Sequence, residues 1–192
     1  AAQHRPDEAK PIHASDVFLK PLEQLTIFDG DPVARLELPG LGKRKNWLAL
    51  HPGSGSESKN WPEQNWRELL AHLLDQSPLN LLLIGGEAEG DRLQRLANGM
   101  PSDRLEIAQH IPLPELAPRL AKCAGYVGHD TGVTHLASAL GLPTLVLWGK
   151  SDEKIWRPLG EKVRVLNKHS ELAELTLKTV LEGINALEME QF

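Results

Sequence analysis

The chain has 192 residues, of which 41% are hydrophobic and 24% charged, and it contains a single cysteine. This composition is typical of a soluble globular protein and unlike that of disordered or disulfide-framed chains. The formal net charge of −5 provides no basic field for nucleic acid or anionic lipid, so no nucleic-acid partner is expected and an anionic ligand must be held locally. No apolar run approaches the roughly 20 residues that span a bilayer, and the polar start is unlike a secretory signal, which predicts a cytoplasmic protein.

Residues 1–42 form an irregular lead-in with a charged start. It is too short to bury an independent core, so it is expected to be a connection and not a domain. One helix is predicted in it from an apolar stretch that comprises Val17, Phe18, Leu19, Leu22, Leu25 and Ile27.

From residue 43 to residue 192, short apolar runs alternate with stretches of helical period. Continuous apolar strands that alternate with helices indicate a parallel sheet covered on both faces, so the sequence predicts a Rossmann-like, doubly wound α/β domain. The predicted strands lie in the runs 47–53, 80–86, 104–109, 125–130, 143–149 and 163–166.

Four predicted helices carry apolar stripes at helical spacing. The first follows Pro62, with Asn60 and Glu63 spaced as a capping pair. The third is closed by Gly141 and Pro143. The stripes are Trp66, Leu69, Leu70, Leu73 and Leu74; Leu113, Leu116, Leu120, Cys123 and Ala124; Val133, Leu136, Ala137 and Leu140; and Leu177, Val180, Leu181, Ile184 and Leu187.

The segments that follow the strands are rich in glycines, small hydroxyls, acids, histidines and a lysine. In open parallel sheets the ligand crevice lies beyond the carboxyl ends of the strands, so these side chains are expected to converge at one edge. The segments read HPGSGSESKNWP, GGEAEGD, GHDTGVTH and WGKSDEKIWRPLG.

The first of these segments suits an anion. Its small-residue turn lets backbone N–H groups and hydroxyls approach a phosphate, and Lys59 adds a positive charge at the helix entrance. An ordinary flexible turn with a solvated lysine is the alternative. The turn consists of Gly53, Ser54, Gly55 and Ser56.

Two well-known phosphate motifs do not fit this turn. A Walker A loop beginning at Gly53 needs glycine at Ser58 and serine or threonine at Asn60, and a dinucleotide fingerprint also needs glycine at Ser58. An NAD-linked oxidoreductase is therefore disfavoured.

The segment GHDTGVTHLASALG predicts a second anion-binding element. Asp130 is expected to cap the helix, and Thr131 and Gly132 place a hydroxyl and backbone N–H groups at the positive end of its dipole. His135 lies opposite the apolar stripe and is positioned to hydrogen-bond the same phosphate. The alternative is a capped helix with a histidine covered by the sheet.

Other chemistries fit less well. His129, Asp130 and His135 match no standard zinc spacing, so no metal site is expected. No GxSxG elbow is present to supply a serine nucleophile. Glu87 directly follows the second strand, where an acid can accept from ribose hydroxyls, although the segment also reads as a plain acidic loop.

The four segments together resemble the C-terminal domain of the heptosyltransferase family, glycosyltransferase family 9, over roughly residues 46 to 166. The family comprises bacterial enzymes that add heptose from ADP-L-glycero-D-manno-heptose to the lipopolysaccharide inner core. They have the GT-B arrangement of two facing Rossmann-like domains with the donor between them. The resemblance implies that residues 43–192 are the donor-binding C-terminal domain, that residues 1–42 connect it to an N-terminal domain missing from this chain, and that no cofactor is used.

The resemblance also assigns roles to residues. Lys59 matches the lysine that neutralises the donor diphosphate and stabilises it as it leaves. Gly55 departs from the hydroxyl residue that some members carry, which leaves its backbone N–H as the contact. In the remaining matches, Ser54 meets the diphosphate with Ser56 beside it, Glu87 holds the ribose, and Asp130, Thr131, Gly132 and His135 form the DTGxxH signature that grips the phosphates and the heptose.

The family reaction is inverting: an acceptor hydroxyl, deprotonated by a carboxylate, attacks the anomeric carbon as ADP departs. The resemblance places that general base in the N-terminal domain, so this chain alone is expected to bind ADP or an ADP-sugar weakly and not to transfer heptose. The acceptor is the lipid-anchored saccharide at the cytoplasmic face of the inner membrane. Membrane binding by this acidic chain itself is not predicted, because it shows no basic amphipathic helix.

Two other functions stay open on the sequence. A GT-B transferase that uses another nucleotide sugar is one, because the nucleotide contacts are better marked than the sugar contacts. The other is a noncatalytic nucleotide-binding or interaction module.

Overall fold

The computed structural model describes residues 4–40, 42, 44–166 and 171–189. These residues build a six-stranded parallel sheet in the order β3-β2-β1-β4-β5-β6. The predicted doubly wound α/β fold is confirmed. The strands are β1 (Arg44–His51), β2 (Asn80–Gly85), β3 (Leu105–Gln109), β4 (Cys123–His129), β5 (Thr144–Leu147) and β6 (Val163–Leu166).

Helices connect the strands and cover the sheet. The α-helices of the described ranges are α1 (Ala14–Leu19), α2 (Glu63–Gln76), α3 (Arg92–Ala97), α4 (Leu113–Ala121), α5 (Gly132–Ala139), α6 (Glu153–Trp156) and α7 (Leu177–Asn185). Short 3₁₀ turns occupy Lys20–Leu25, Glu57–Lys59, Glu87–Glu89 and Leu172–Glu174. None of the helices in the described ranges is both long enough and apolar enough to cross a membrane.

The core has two layers because successive strand side chains point to opposite faces of the sheet. Leu48 and Leu50 of β1 belong to the cluster packed with α2, α3 and α7. Ala49, between them, belongs to the cluster packed with α4 and α5. All three side chains are fully buried, which explains why the central strands read as continuous apolar runs.

The chain reverses its direction of winding at β1. This strand pairs with β2 on one side and with β4 on the other, where Leu50 lies opposite Val127 and His51 opposite Gly128. The loops after β1 and β4 therefore lead to opposite faces of the sheet, and a crevice opens between them at the carboxyl edge.

The start of α2 differs from the prediction. Pro62 is its N-cap residue, without a side-chain hydrogen bond. The Asn60 side chain instead accepts a hydrogen bond from the Ser54 hydroxyl at 2.7 Å. The predicted capping pair of Asn60 and Glu63 is thus wrong, because Asn60 closes the preceding loop.

The second apolar stripe is also divided differently. Helix α4 ends at Ala121, and Cys123 and Ala124 begin β4. Both residues are buried as expected, but in the sheet, while Leu113 at the other end of the stripe is 55% exposed.

The lead-in forms α1 and a 3₁₀ turn instead of one helix. Pro21 lies at the start of that turn, where it cannot donate the backbone hydrogen bond that would continue α1. Phe18 and Leu25, predicted as helical apolar residues, are 57% and 67% exposed. The predicted boundary between residues 42 and 43 adjoins Lys43, which lies outside the described residues.

Among the described residues, hydrogen bonds of His13 and Leu36 attach the lead-in to the domain. The His13 Nε2–H group donates to the Arg157 carbonyl at 2.8 Å. The Leu36 N–H group donates to the Ala139 carbonyl at the end of α5, also at 2.8 Å. The lead-in therefore runs along the domain surface from the α6 side to the C-terminal end of α5.

Candidate functional site

The loop after β1, here called the 53–61 loop, folds back on itself. The Ser54 hydroxyl oxygen lies 2.7 Å from Asn60 Oδ1 and 3.1 Å from the Ser56 carbonyl oxygen. Gly55 has a φ of +71°, with open space around it. This left-handed backbone explains why glycine occupies a position where the family resemblance suggests a hydroxyl residue.

The N–H groups of this loop are available to a ligand. Among the described residues, the backbone N–H groups of Ser54 and Gly55 find no acceptor. Successive free N–H groups in a turn suit an anion, because each adds a partial positive charge. The loop therefore has the chemistry that its sequence predicts.

Lys59 lies at the far side of the same loop. It ends the 3₁₀ turn Glu57–Lys59, and its Nζ atom donates to the Ser151 hydroxyl at 3.1 Å. Ser151 follows β5, so this contact joins the loops after β1 and β5. The positive charge of Lys59 is thereby held at the carboxyl edge of the sheet.

Helix α5 begins at this edge, but its cap differs from the prediction. Thr131 is the N-cap residue, and its hydroxyl accepts from the Thr134 N–H group at 3.4 Å. The predicted capping by Asp130 is wrong, because the extended backbone at Thr131, with φ −148° and ψ 164°, brings the threonine hydroxyl to the free N–H group. Gly132 follows as the exposed first residue of α5.

Asp130 faces His135 instead. A carboxylate oxygen of Asp130 lies 3.9 Å from His135 Nε2, and the two side chains are 18% and 45% exposed. Burial lowers the pKa of His135, and the charge of Asp130 opposes that effect. The two side chains are close enough to act on one ligand.

A buried polar cluster of His51, Tyr126 and Thr134 contacts the Thr131 hydroxyl. The Tyr126 hydroxyl lies 3.0 Å from the Thr134 hydroxyl and 3.4 Å from His51 Nδ1. The Thr131 hydroxyl is 3.3 Å from the same His51 nitrogen. Burial lowers the pKa of His51 to about 4, against the opposing charge of Glu89. The cluster is therefore neutral at physiological pH and holds the Thr131 hydroxyl by dipoles.

His129 connects the 53–61 loop to the end of β4. Its Nε2 atom accepts from the Trp61 N–H group at 2.8 Å, and its Nδ1 atom is 3.3 Å from the Gly53 carbonyl oxygen. The ring also packs edge to face against Trp66, with centroids 5.6 Å apart. Burial lowers the pKa of His129 to about 3.

The loop after β2 carries the predicted site acid, Glu87, and a second, unpredicted one, Glu89. Glu87 begins the 3₁₀ turn and is exposed. Glu89 is 8% exposed, and its carboxylate accepts from the Gly86 N–H group at 2.6 Å. A Cβ atom on Gly53 would lie 1.9 Å from Glu89 Oε1, so Gly53 must be glycine for this acid to pack there.

Arg92 holds the start of the 53–61 loop from the same side. Its guanidinium donates to the Pro52 carbonyl at 3.3 Å and forms an ion pair with Glu57. The Arg92 side chain is 9% exposed and that of Glu57 is 82% exposed. A buried arginine thus fixes the backbone directly after β1.

Among the cavities formed by the described residues, two lie at opposite ends of β5. One of about 1080 Å³ borders the loop after β5, including Ser151, the partner of Lys59. The other, of about 330 Å³, lies between the lead-in and the end of α5, and no predicted site residue lines it. Across the described residues, no three His, Cys, Asp or Glu side chains gather as metal ligands.

The sequence predicts the loops of the site but not the buried residues that hold them in place. The structure brings the Ser54 and Lys59 loop and the Thr131 helix start to one edge, while Glu87 stays on the surface. A signal for two of the missed residues exists in the sequence: in each of the two strands beside the crevice, the apolar stretch ends at a histidine. The missed residues are His51, Glu89, Arg92, Tyr126 and His129.

Comparison with known proteins gives consistent matches. The model of Glycosyltransferase family 9 (heptosyltransferase) matches residues 20–184. Lipopolysaccharide heptosyltransferase 1 of Escherichia coli (strain K12) is 33% identical over 132 residues, which are 68% of this chain and 41% of that protein.

Two solved structures of an E. coli heptosyltransferase, WaaC, are similar. The structure with ADP has a TM-score of 0.75 at 26% identity and covers 92% of this chain and 57% of that chain. The structure with ADP-2-deoxy-2-fluoro heptose has a TM-score of 0.65 at 30% identity and covers 78% and 45%. The chain thus spans about half the length of the relatives that it matches.

Proposed function

Because the chain belongs to glycosyltransferase family 9, the heptosyltransferase family, we propose that it is the donor-binding part of an inverting glycosyltransferase. The enzyme would transfer heptose from ADP-heptose to the lipopolysaccharide inner core. The observation that carries the proposal is the convergence of the 53–61 loop and the start of α5 at the β1–β4 reversal of the sheet. This is the position where doubly wound folds bind nucleotides.

The donor diphosphate would lie between these two segments. The free N–H groups of Ser54 and Gly55, the ammonium of Lys59 and the N-terminal end of α5 at Gly132 are its proposed ligands. The Thr131 hydroxyl, engaged as the helix cap, would orient that end. Ser56 closes the turn beside Ser54. The similar structures of WaaC with ADP and with ADP-2-deoxy-2-fluoro heptose support this class of ligand.

The remaining site residues are assigned to the two ends of the donor. Asp130 and His135 lie together at the start of α5, and we assign them to the heptose side. Glu87 is assigned to the ribose hydroxyls; it is exposed at the carboxyl edge of β2.

The chemistry follows from the charge that develops on the leaving group. As the acceptor oxygen bonds to the anomeric carbon, the bond from that carbon to the diphosphate oxygen breaks and negative charge collects on ADP. Lys59 and the N–H donors would stabilise that charge in fixed positions, which lowers the barrier more than flexible solvent does. The carboxylate base and the acceptor site are proposed to belong to the N-terminal domain of the complete enzyme, working at the cytoplasmic face of the inner membrane.

Calorimetric titration tests the donor assignment. The chain is titrated with ADP, ADP-heptose, UDP and GDP, first with EDTA and then with Mg²⁺. We expect ADP and ADP-heptose to bind without metal and at least about tenfold more tightly than UDP or GDP, a difference of about 1.4 kcal/mol. Equal affinity for UDP would favour a transferase with another nucleotide sugar, and a folded chain that binds no nucleotide would contradict the proposal.

A further inference from the structure

His129 is a buried residue whose role goes beyond packing. It is 1% exposed and ends β4, directly before the Asp130, Thr131 and Gly132 segment. Both of its ring nitrogens contact backbone groups of the 53–61 loop, one at each end. The same residue therefore touches both proposed diphosphate-binding segments.

The contacts select a single form of the ring. Nδ1 must carry the proton, because its partner is the Gly53 carbonyl, and Nε2 must be unprotonated, because it accepts from the Trp61 N–H group. Protonation of the ring would remove the acceptor. Burial favours this neutral form and the charge of Arg92 acts in the same direction, while the contact with the Gly53 carbonyl opposes them.

The contact with Gly53 controls the direction of a proposed ligand group. In a planar trans peptide the C=O and the following N–H point in opposite directions. Since the Gly53 carbonyl points at His129, the Ser54 N–H group points away from the ring. On the helix side, the His129 carbonyl accepts from the Thr134 hydroxyl in the first turn of α5. One residue thereby fixes the N–H donors of the loop relative to the start of the helix.

We propose that His129 is a positioning residue for the donor diphosphate, acting through the backbone of the 53–61 loop. It makes no contact with the donor; it holds Gly53 and Trp61 so that the Ser54 N–H group stays aimed at the ligand. This inference rests on the proposed function.

The test is ADP affinity in three His129 variants, measured by calorimetry with EDTA. His129→Ala removes both ring contacts and is expected to weaken ADP binding about tenfold, on the order of the loss of one well-placed hydrogen-bonding group. His129→Asn keeps an amide near the Nδ1 position, toward Gly53, and His129→Gln keeps one near the Nε2 position, toward Trp61. Each is expected to recover part of the lost affinity.

A matched control separates positioning from general stability. Leu120, in the last turn of α4, is fully buried just before the start of β4, at the opposite edge of the sheet, and Leu120→Ala should lower the melting temperature without changing ADP affinity. Tight ADP binding by the wild type with equally tight binding by all three His129 variants would overturn this inference alone. No ADP binding by the folded wild type would overturn the proposed function and this inference with it. If His129→Ala does not fold, the Asn and Gln variants decide, because either must bind ADP more weakly than the wild type.

Discussion

The Nζ atom of Lys59 donates to the hydroxyl of Ser151 at 3.1 Å, across the gap between the loops after β1 and β5. The partner is uncharged, so this contact orients the ammonium without neutralising it. A flexible lysine held in one direction loses less side-chain entropy when a ligand binds. The pair therefore prepares a positive charge for an anion at this edge of the sheet.

Removal of the Lys59 charge should weaken ADP binding more than removal of its hydrogen-bond partner, the Ser151 hydroxyl. Lys59→Ala is expected to weaken ADP binding about tenfold to a hundredfold, because a charge-assisted hydrogen bond contributes about 1.5–3 kcal/mol. Ser151→Ala should change the affinity by less than about threefold, since Lys59 keeps its charge. Calorimetry on both variants checks this, and an equal loss in the two would show that the charge itself does not bind the diphosphate.

Substitutions of Thr131 and of Asp130 should differ in their effect on the free energy of unfolding. Thr131→Val removes the cap of α5 and is expected to lower the free energy of unfolding by about 1 kcal/mol. Asp130→Ala should change it by less than about 0.5 kcal/mol, because Asp130 does not cap the helix. Urea unfolding followed by circular dichroism measures both. A larger loss from Asp130→Ala would restore the capping role that the sequence suggests for that residue.

The two buried histidines predict a stability that falls in mild acid. Their pKa values in the folded chain are lowered to about 4 for His51 and about 3 for His129, in both cases by burial. Below about pH 6.5 the unfolded chain therefore binds more protons than the folded chain. The stabilisation is complete above pH 6.5 and is lost as the pH falls toward the two folded-state values.

Each histidine should contribute a slope of at most about 1.4 kcal/mol per pH unit in that window. Urea unfolding at about pH 7.5 and about pH 5.5 measures the slope. His129→Asn, which removes one of the two groups, should give a shallower pH dependence than the wild type. If the free energy of unfolding changes equally with pH in the two proteins, the pKa of His129 does not differ between the folded and unfolded chains.

Gly53 and Glu89 should be energetically coupled. Gly53→Ala places a Cβ atom against the buried Glu89 carboxylate and is expected to cost about 1–3 kcal/mol of stability. In a Glu89→Ala background most of that cost should disappear, which a double-mutant cycle measures.

Gly55→Ala provides the matched control for that cycle. Gly55 has open space and a positive φ, so alanine there should cost about 1 kcal/mol for backbone conformation alone. That cost should be the same with and without Glu89. Additive effects of Gly53→Ala and Glu89→Ala would argue that the carboxylate does not pack on Gly53.

The strands and the position of the site follow from local sequence. The run NLLLIGG predicts a strand, and β2 occupies Asn80–Gly85, because a strand buried on both faces must be apolar throughout. The sequence also predicts that the polar segments lie at one edge, since the carboxyl ends of parallel strands all lie at the same edge of the sheet. These inferences need only the order of residues along the chain.

The caps and the supporting residues depend on contacts through space. Asn60 has the right spacing from Glu63 to cap a helix, but its side chain accepts a hydrogen bond from the Ser54 hydroxyl instead. His129 ends an apolar strand, which is compatible with a ligand contact, a metal or a structural role. Its two partners lie 68 and 76 positions away in the chain, so no local pattern selects among these roles.

The pairing of β1 with β4 sets a distance at the proposed site. Leu50 lies opposite Val127 and His51 opposite Gly128, and both loops begin within two residues of these pairs. A slip of one residue in this pairing would displace the loops by about 3.3 Å along the strands and turn His51 to the other face of the sheet. The hydrogen-bond register of the central strands therefore fixes the distance between the two proposed phosphate-binding segments in the nucleotide-free protein.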